Sequence, residues 1–463
     1  MQFFRNLAPW GHLKTSSNFK KNLCLISAGH GSSFGTPGVF ILQFSFFHSS
    51  LPDSLECFVL PGGPVDPSYA TGFRPKLSTS MVLLEMLDNL TLSIDKKEIT
   101  VGVFLDLAKV FDTVNHSMIL GKLYHYGIRG VTFKWFQSYL ANRQQYVVVN
   151  NHKSGLTTIR CGVPQGSILG PILFLLYIND LNSHSSLRSV MFADDTNLFL
   201  SGKNLQQLEL QLNEELKLVN EWFNSNLLSL NLSKTSFIIF GLGNYQDINV
   251  CINNTNINRQ YSTKFLGIVL TSKLNWSLHI NIVLSKASKC LGIISKVRHL
   301  IPQHLTRMLY LSLVEPYFNY CNLIWCLPNR TTRLDKIFKV QKKYCRILTF
   351  SVFSSHSKIL FTQLKLFNIY YIYKFQLATY MYKIQNRLIP TLDHQAFNTG
   401  SSFHHHDTRH KNDLCKPSCR TKLHQNSFCF QGPELWNSLP DHIRAAPSLN
   451  IFKSGVKSYL LYR

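Results

Sequence analysis

Apolar and polar positions along the chain follow helical spacing in some segments and β-strand patterning in others. Between residues 78 and 92, apolar side chains recur at helical spacing: Met81, Leu84, Leu87 and Leu90. Residues 100–107 (TVGVFLDL) are instead β-branched and apolar. They predict a short buried strand with an acid at its end.

Further elements follow in regular order. The next elements are a helix over 116–126 with Asp112 or Ser117 as its cap, and a hairpin of 145–150 with 155–160 around Asn150–Asn151. An apolar helix from Gly170–Pro171 to Leu181 and two strands within 190–200, joined at an acidic pair, follow. The last two elements are an amphipathic helix over 204–226 and a strand over 236–241. This order predicts an α+β protein with a ferredoxin-like βαββαβ sheet, although many folds share that order.

The two ends of the chain differ from this middle part. Residues 1–71 show no sustained period, and we assign them no fold. Beyond Lys264 the pattern predicts mostly helices, one of which is basic and amphipathic. Its cations recur about every three residues: Arg330, Arg333, Lys336, Lys339, Lys342, Lys343 and Arg346. Such a helix either follows a phosphate backbone or presents an ordinary solvated face.

The charge of the chain indicates a polyanionic partner. The formal net charge is +24, and residues 282–463 contain 26 Lys and Arg against 7 Asp and Glu. Nucleic acid is the commonest polyanion, and a solubilising basic surface is the alternative. The odd number of cysteines, 11, predicts reduced and buried thiols, such as Cys161, Cys290 and Cys345, in an intracellular protein of the nucleus or cytoplasm. No apolar run is long enough for a membrane span, so we expect no membrane partner.

Three acids stand where nucleotidyl transfer would need them. Asp106 ends a buried strand, and Asp194–Asp195 lie between two apolar strands. Phosphoryl transfer with two divalent cations about 4 Å apart requires carboxylates on rigid backbone. An acidic pair alone is more often an ordinary turn, so these residues gain weight only from the motifs around them.

Those motifs carry a resemblance. FLDLAKVFDTVNH, GVPQGSILGPILFLLYINDL, FADD, LNLSKT and KFLGIVL occur in this order. Over residues 72–300 they resemble the reverse transcriptases of non-LTR (LINE-type) retrotransposons, most similarly the jockey-like elements. The tail FQGPELWNSLPDHI resembles such elements more loosely. The resemblance implies a right-hand polymerase with a fingers remnant and palm over 72–260, a primer grip and helical thumb over 261–350, and a basic C-terminal region over 351–463.

The resemblance also implies roles for single residues. Asp106, Asp194 and Asp195 would hold two Mg²⁺ ions, with Mn²⁺ as an alternative, and Lys234 would neutralise pyrophosphate. Phe111 would exclude a 2′-hydroxyl, while Arg74, Gln165 and Gly166 would contact the nucleotide. Phe265, Leu266 and Gly267 would grip the primer end. Each has a plainer interpretation: a core aromatic for Phe111, a β-turn for Gln165–Gly166, a surface lysine for Lys234 and a strand ending in a glycine turn for Phe265–Gly267.

The predicted function is RNA-directed DNA polymerase, with an RNA template, a DNA primer or target site and dNTPs as partners. Its oligomeric state cannot be predicted from this sequence. Residues 1–71 lack the basic fingers stretch typical of this family, so we expect an N-terminally truncated chain. The alternatives are a catalytically inactive nucleic-acid-binding relic and, more remotely, an RNA-dependent RNA polymerase, which FADD and Phe111 disfavour. A zinc site of His404, His405, His406 and His410 with Cys415 and Cys419 fits no tight ligand spacing.

Overall fold

The computed structural model describes residues 40–43, 57–60, 77–327, 331–389, 397–399 and 413–462. The strands are β1 (Phe40–Gln43), β2 (Cys57–Leu60), β3 (Ile99–Leu105), β4 (Gln144–Gln145), β5 (Val148–Val149), β6 (His152–Lys153), β7 (Thr157–Thr158), β8 (Arg188–Phe192), β9 (Asp195–Gly202), β10 (Ser236–Phe240), β11 (Cys251–Ile252), β12 (Thr255–Asn256), β13 (Asn258–Arg259), β14 (Ser262–Phe265) and β15 (Ile268–Thr271). The helices are α1 (Thr79–Asp95), α2 (Val110–Thr113), α3 (His116–His125), α4 (Gly130–Leu140), α5 (Leu169–Ile178), α6 (Leu205–Ser225), α7 (Ser277–Val297), α8 (Gln303–Leu313), α9 (Glu315–Asn319), α10 (Asn322–Trp325), α11 (Thr331–Thr349), α12 (Ser357–Leu364), α13 (Ile369–Gln385), α14 (Phe428–Asn437), α15 (Asp441–Arg444) and α16 (Leu449–Tyr462).

A five-stranded sheet in the order β13-β10-β3-β9-β8 is the centre of the N-terminal half. Strands β8, β9, β3 and β10 pair antiparallel, and β13 adds to β10 in parallel. Numbered along the chain, the four antiparallel strands are arranged 4-1-3-2, as in a ferredoxin-like βαββαβ unit. The predicted α+β palm fold is therefore confirmed.

The two faces of the sheet are buried against different partners. Val101, Val103 and Leu105 of β3 lie in a core with α3, α5 and α6, which covers one face. Phe104 points to the other face, where its ring lies 6.1 Å from Phe199, and both belong to the core that contains α1 and the helical half. Because side chains alternate along a strand, a strand covered on both faces is apolar almost throughout. This explains why TVGVFL carries no polar alternation.

The elements predicted from periodicity are present, with small differences at their ends. Helix α6 is capped by Asn204, whose side chain accepts hydrogen bonds from Gln206 N and Gln207 N. The predicted caps of α3 were wrong. Asn115 caps this helix, since its side-chain oxygen accepts from Met118 N at 3.1 Å. Asp112 lies earlier, in α2, and Ser117 donates to Asn115 instead.

The C-terminal half is helical, as predicted, and packs as one core with α1. Helix α11 packs against α7, and the buried Tyr344 hydroxyl donates to Ala287 O at 2.5 Å. Within the part of the chain described, no helix is long and apolar enough to cross a membrane. The expectation for the thiols is only partly confirmed: Cys345 is buried, but Cys161 is exposed and Cys290 is half-buried. Cys161 lies at the end of an exposed hairpin, where no core covers it.

The C-terminal segment (residues 413–462) packs on α1 through two acids of this helix that are seven residues apart. Asp88 is buried and accepts hydrogen bonds from Phe428 N at 3.1 Å and Cys429 Sγ at 3.3 Å. Its burial raises the pKa of Asp88 to about 7. Asp95, at the end of the helix, accepts from Thr421 N at 2.7 Å. This contact joins positions 326 residues apart in the chain and fixes the C-terminal segment to α1.

Candidate active site

Asp106 directly follows β3, and the backbone on both sides holds it in place. The carbonyl oxygen of Asp106 accepts from Asn231 N at 2.8 Å, and its amide lies 3.4 Å from Thr235 Oγ1. Thr235 is buried, with 2% of its surface exposed. The LNLSKT segment is therefore a clamp beside the strand end, which leaves the Asp106 carboxylate directed outward with 42% of the side chain exposed.

The acidic pair occupies the turn between β8 and β9. Phe192 pairs with Asp195 across this turn, so Ala193 and Asp194 are its two connecting residues. Ala193 has a φ of 57°, in the left-handed region that residues with a side chain adopt at a cost. Backbone strain of this kind is often found at functional sites, where the surrounding structure maintains it. Here the two paired strands hold the turn.

The strand register brings the three acids together. Leu105 of β3 pairs with Thr196 of β9 in antiparallel register, so Asp106, which follows Leu105, lies beside Asp195, which precedes Thr196. Neighbouring residues in an antiparallel ladder have Cα atoms about 5 Å apart. Partial burial and then the charges of Asp194 and Asp106 raise the pKa of Asp195. The three carboxylates thus repel one another, and a divalent cation would relieve that repulsion.

The carboxylates of Asp106, Asp194 and Asp195 do not converge on one position in this structure. Among the described residues, no group of three His, Cys, Asp or Glu side chains is arranged to hold a metal ion. Asp106 instead faces Lys234, whose Nζ lies 3.7 Å from Asp106 Oδ2. Asp194 and Asp195 are exposed and Asp106 is half-buried, so rotation of their side chains on this fixed backbone would direct oxygen atoms toward a cation. The donor set therefore fits hard cations such as Mg²⁺.

Phe111 and the Pro-Gln-Gly loop lie together on the same side of the palm. The half-buried ring of Phe111 contacts Phe174 of α5, with ring centroids 5.1 Å apart. Its carbonyl oxygen accepts from Val163 N at 2.7 Å, which ties the loop to α2. Gln165 Nε2 donates to Asp112 Oδ1 at 2.9 Å, so its amide is oriented, and Gly166 has a φ of 79° with open space around it.

Gly162 permits this close approach of loop and helix. Its φ is 87°, and a Cβ built there would lie 2.8 Å from the Asp112 carbonyl oxygen. We expect Gly162→Ala to destabilise the protein by about 1–3 kcal/mol, because both the backbone conformation and the main-chain contact are incompatible with a side chain. Denaturant unfolding measures this. Gly121→Ala in α3, where a Cβ meets nothing within 4 Å, is the control and should cost nothing. Equal stability of the two variants would contradict the prediction.

Comparison with known proteins agrees with this geometry. A family described as "Reverse transcriptase (RNA-dependent DNA polymerase)" matches residues 50–270. Residues 50–270 thus have the sequence of a reverse transcriptase domain. The RNA-directed DNA polymerase from mobile element jockey of Drosophila melanogaster is 29% identical over 222 residues, which cover 46% of this chain and 24% of that protein. The probable RNA-directed DNA polymerase from transposon BS of the same species is 26% identical, covering 61% of this chain and 32% of that protein.

The recognised relatives are thus polymerases of jockey-like and other non-LTR retrotransposons, which confirms the predicted family. The chain spans about a quarter to a third of the length of these curated relatives. Among solved structures, telomerase from Candida tropicalis in complex with a fragment of telomeric RNA aligns at 11% identity with a TM-score of 0.34, covering 65% of this chain and 54% of that chain.

The hairpin beyond the palm of the reverse transcriptase domain has a tight two-residue turn. Strands β14 and β15 pair antiparallel, with Phe265 opposite Ile268. Leu266 and Gly267 both have positive φ, 43° and 78°. The Leu266 carbonyl oxygen accepts from Tyr320 Oη at 2.8 Å. Phe265 is buried, with its ring 6.2 Å from Phe104, so it anchors the hairpin and leaves the Leu266–Gly267 turn outside the core.

The predicted basic helix is α11, and its faces are divided as its pattern indicated. Leu334, Ile337 and Tyr344 are buried, whereas the cations at every third or fourth position are exposed: Lys336, Lys339 and Lys343. Arg333 and Lys342 are half-buried, and Lys342 Nζ lies 4.2 Å from the centre of the Phe338 ring. Arg74, Arg330 and the histidines His404, His405, His406 and His410 lie outside the described residues, so the zinc hypothesis stays untested.

Several residues around the site escaped the sequence reasoning. Asp112 orients Gln165, and Asn231 and Thr235 clamp Asp106. His116 Nε2 lies 2.8 Å from the Gly162 carbonyl oxygen and supports the same loop. The signal for each was present in the FDTVNH and LNLSKT motifs, where a short polar side chain next to a candidate site residue indicates a supporting hydrogen bond.

Proposed function

We propose that this chain is an RNA-directed DNA polymerase, which transfers a nucleotide from a dNTP to a DNA primer 3′-hydroxyl on an RNA template. One observation carries this proposal: the register of β3 on β9 sets Asp106 beside the Asp194–Asp195 turn. The matched family and the polymerases named above support the same reaction. That activity belongs to longer proteins in those relatives and is a proposal for this chain.

Asp106, Asp194 and Asp195 would hold the ions, and their chemistry follows from their placement. Reverse transcriptases generally depend on divalent metal ions. Bound here, two Mg²⁺ ions would supply positive charge to the reacting phosphate. The clamp of Asn231 and Thr235 keeps the Asp106 backbone fixed while its carboxylate turns. Preorganised backbone of this kind lowers the cost of assembling the charged site.

The remaining residues would bind and orient substrates. Gln165, held by Asp112, would present its amide to the nucleotide or the template base. Lys234 extends an exposed ammonium group beside Asp106 and would neutralise a leaving pyrophosphate. The Leu266–Gly267 turn would lie against the primer end. The basic face of α11 would follow the phosphate backbone, since Lys336, Lys339 and Lys343 lie on one exposed side.

The purified chain tests this directly on a DNA primer annealed to an RNA template. We expect dNTP-dependent extension that requires Mg²⁺, stops on chelation and resumes when Mg²⁺ is restored. Retention of the primer–template without incorporation at any Mg²⁺ concentration would favour the second candidate function, an inactive nucleic-acid-binding protein. That alternative is favoured by one observation: among the described residues, no three His, Cys, Asp or Glu side chains are arranged to hold a metal ion.

Phe111 provides a separate prediction about sugar selectivity. Phe111 lies five residues after Asp106, and its ring packs against Phe174. In this position the ring would collide with the 2′-hydroxyl of a ribonucleotide. We expect Phe111→Ala to lower the preference for dNTPs over ribonucleotides by about tenfold or more, because removing the ring opens space for the hydroxyl. Competing single-nucleotide incorporation measures the ratio. Phe111→Tyr keeps the ring and should keep the selectivity, and unchanged selectivity in Phe111→Ala would remove Phe111 from this role.

A further inference from the structure

An acid-free part of the chain forms an outer surface of the palm. Residues 113–179 contain no Asp or Glu, while they carry six Lys and Arg. They form α3, α4, the four short strands β4 to β7, the Pro-Gln-Gly loop and α5. Lys122 is paired with Asp180 at 2.7 Å, but Arg143 and Lys153 make no ion pair with a carboxylate among the described residues. The charge that these two cations present is therefore complementary to nucleic acid.

Two aromatic rings on α4 are followed by a cation just beyond the end of the helix. Trp135 stacks on Tyr139, with ring centroids 5.7 Å apart and an interplanar angle of 13°. The Arg143 guanidinium lies 5.6 Å from the centre of the Tyr139 ring. These three residues are spaced four apart, so they follow one side of the helix and its end. Trp135 remains 40% exposed, although it contacts Tyr139.

The hairpin that follows α4 continues this pattern in an unusual setting. Every residue from 144 to 158 is exposed. Lys153 Nζ lies 5.3 Å from the Tyr146 ring centre, and Tyr146 is 50% exposed. Val147, Val148 and Val149 are also exposed, although apolar. A two-stranded hairpin without a covering layer is marginal in water, and a contiguous exposed apolar patch indicates an interaction site.

The hairpin leads directly into the candidate active site. Its returning strand runs through Cys161, which bridges to Asn115, and continues into Gly162 and the Pro-Gln-Gly loop. A ligand bound along α4 and the hairpin would thus be adjacent, along the chain, to the loop that holds Gln165. This continuity connects the outer surface with the loop to which the proposed function assigns the template.

We propose that Trp135, Tyr139, Arg143, Tyr146 and Lys153, the aromatic–cationic surface, bind an unpaired stretch of nucleic acid outside the catalytic centre. Exposed rings stack on bases only when the bases are not covered by a duplex, and the cations pair with phosphates. In the proposed function, that strand is the part of the template that has not yet reached Gln165, and this identity rests on the proposed function. Binding of unpaired nucleic acid by the surface does not depend on it.

Fluorescence anisotropy with a labelled single-stranded RNA tests the proposal on the full chain, without dNTP or Mg²⁺. The probe is about 20 nucleotides long, which exceeds the 4–16 nucleotides of typical single-strand sites. We expect Trp135→Ala and Tyr146→Ala each to weaken binding about tenfold, with little change for a duplex of equal length. Lys153→Gln should make the slope of log affinity against log salt concentration shallower by about one unit, which corresponds to one phosphate contact.

Two control variants separate this result from other causes. Tyr261 is 65% exposed and lies 4.9 Å from Arg259, but that arginine is already paired with Asp247. Tyr261→Ala should therefore bind the single strand as the unchanged protein does. Leu210→Ala, at an exposed apolar position of α6, should also bind normally. Because the assay contains no dNTP or Mg²⁺, the surface can be confirmed even if the chain does not polymerise.

Two outcomes would overturn the proposal. One is unchanged single-strand affinity in the combined Trp135→Ala and Tyr146→Ala variant. The other is an equal loss of affinity for the duplex, which would indicate a general charge effect. Molecular mass in solution is measured in parallel. A dimer that dissociates in the double variant, with RNA affinity unchanged, would assign this surface to contact between two copies of the chain.

Discussion

Replacing Asp194 with asparagine should lower primer extension by about three orders of magnitude. Asparagine keeps the size of the side chain in the β8–β9 turn but removes the negative charge that would hold a metal ion. Loss of several kcal/mol, roughly 4, of charge stabilisation in the transition state corresponds to a decrease of that size. Single-turnover extension on an RNA template, with enzyme in excess over primer, measures the chemical step.

The same charge change at a distant site controls for a general electrostatic effect. Asp247 has 78% of its side chain exposed and pairs with Arg259, away from the three acids of the site. Asp247→Asn should extend primers at the unchanged rate. Asp194→Asn should also lower the raised pKa of Asp195, because it removes one of the neighbouring charges that cause it. Normal extension by a folded Asp194→Asn protein would refute the assignment of the acidic pair.

The site could be predicted as far as local sequence determines it. A strand that is apolar almost throughout, followed by Asp106, requires burial on both faces, and the structure shows this arrangement. The acidic turn follows from two short apolar strands around FADD. The convergence of these segments depends on sheet order, for which the βαββαβ pattern supplied only a weak indication. Sheet order depends on tertiary structure, and only the structure shows that the four strands are arranged 4-1-3-2.

Other features depend on tertiary contacts that periodicity does not reveal. Asn115 replaces the predicted caps because its position before α3, not its residue type alone, allows its oxygen to reach Met118 N. Cys161 looks like a core thiol within its local sequence, yet it ends an exposed hairpin. The docking of the C-terminal segment on α1 joins residues more than 300 positions apart, which no local pattern can indicate.

That docking supplies the second large effect, which is on stability. The carboxylate of Asp95 accepts from Thr421 N at 2.7 Å, Thr421 Oγ1 at 2.8 Å and Arg420 N at 3.2 Å. Burial alone would raise the pKa of Asp95, but these hydrogen bonds outweigh it and hold the pKa at about 2. The contacts thus stabilise the ionised form, with only 12% of the side chain exposed.

Asp95→Ala should lower the free energy of unfolding by about 3 kcal/mol at neutral pH, because it leaves buried donors of the C-terminal segment without an acceptor. Since the pKa of Asp95 is lower in the folded chain than the ordinary value of 3.8, its contribution is present above about pH 4 and is lost as the pH falls through about 2. The difference between the two proteins should therefore shrink on acidification, by about 2 kcal/mol. Denaturant unfolding at a series of pH values measures this, together with limited proteolysis of the C-terminal segment.

Glu221→Ala, at an exposed position of α6, should show neither the loss nor its pH dependence. A difference for Asp95→Ala that stays constant down to pH 2 would show that the docking does not depend on the ionised carboxylate.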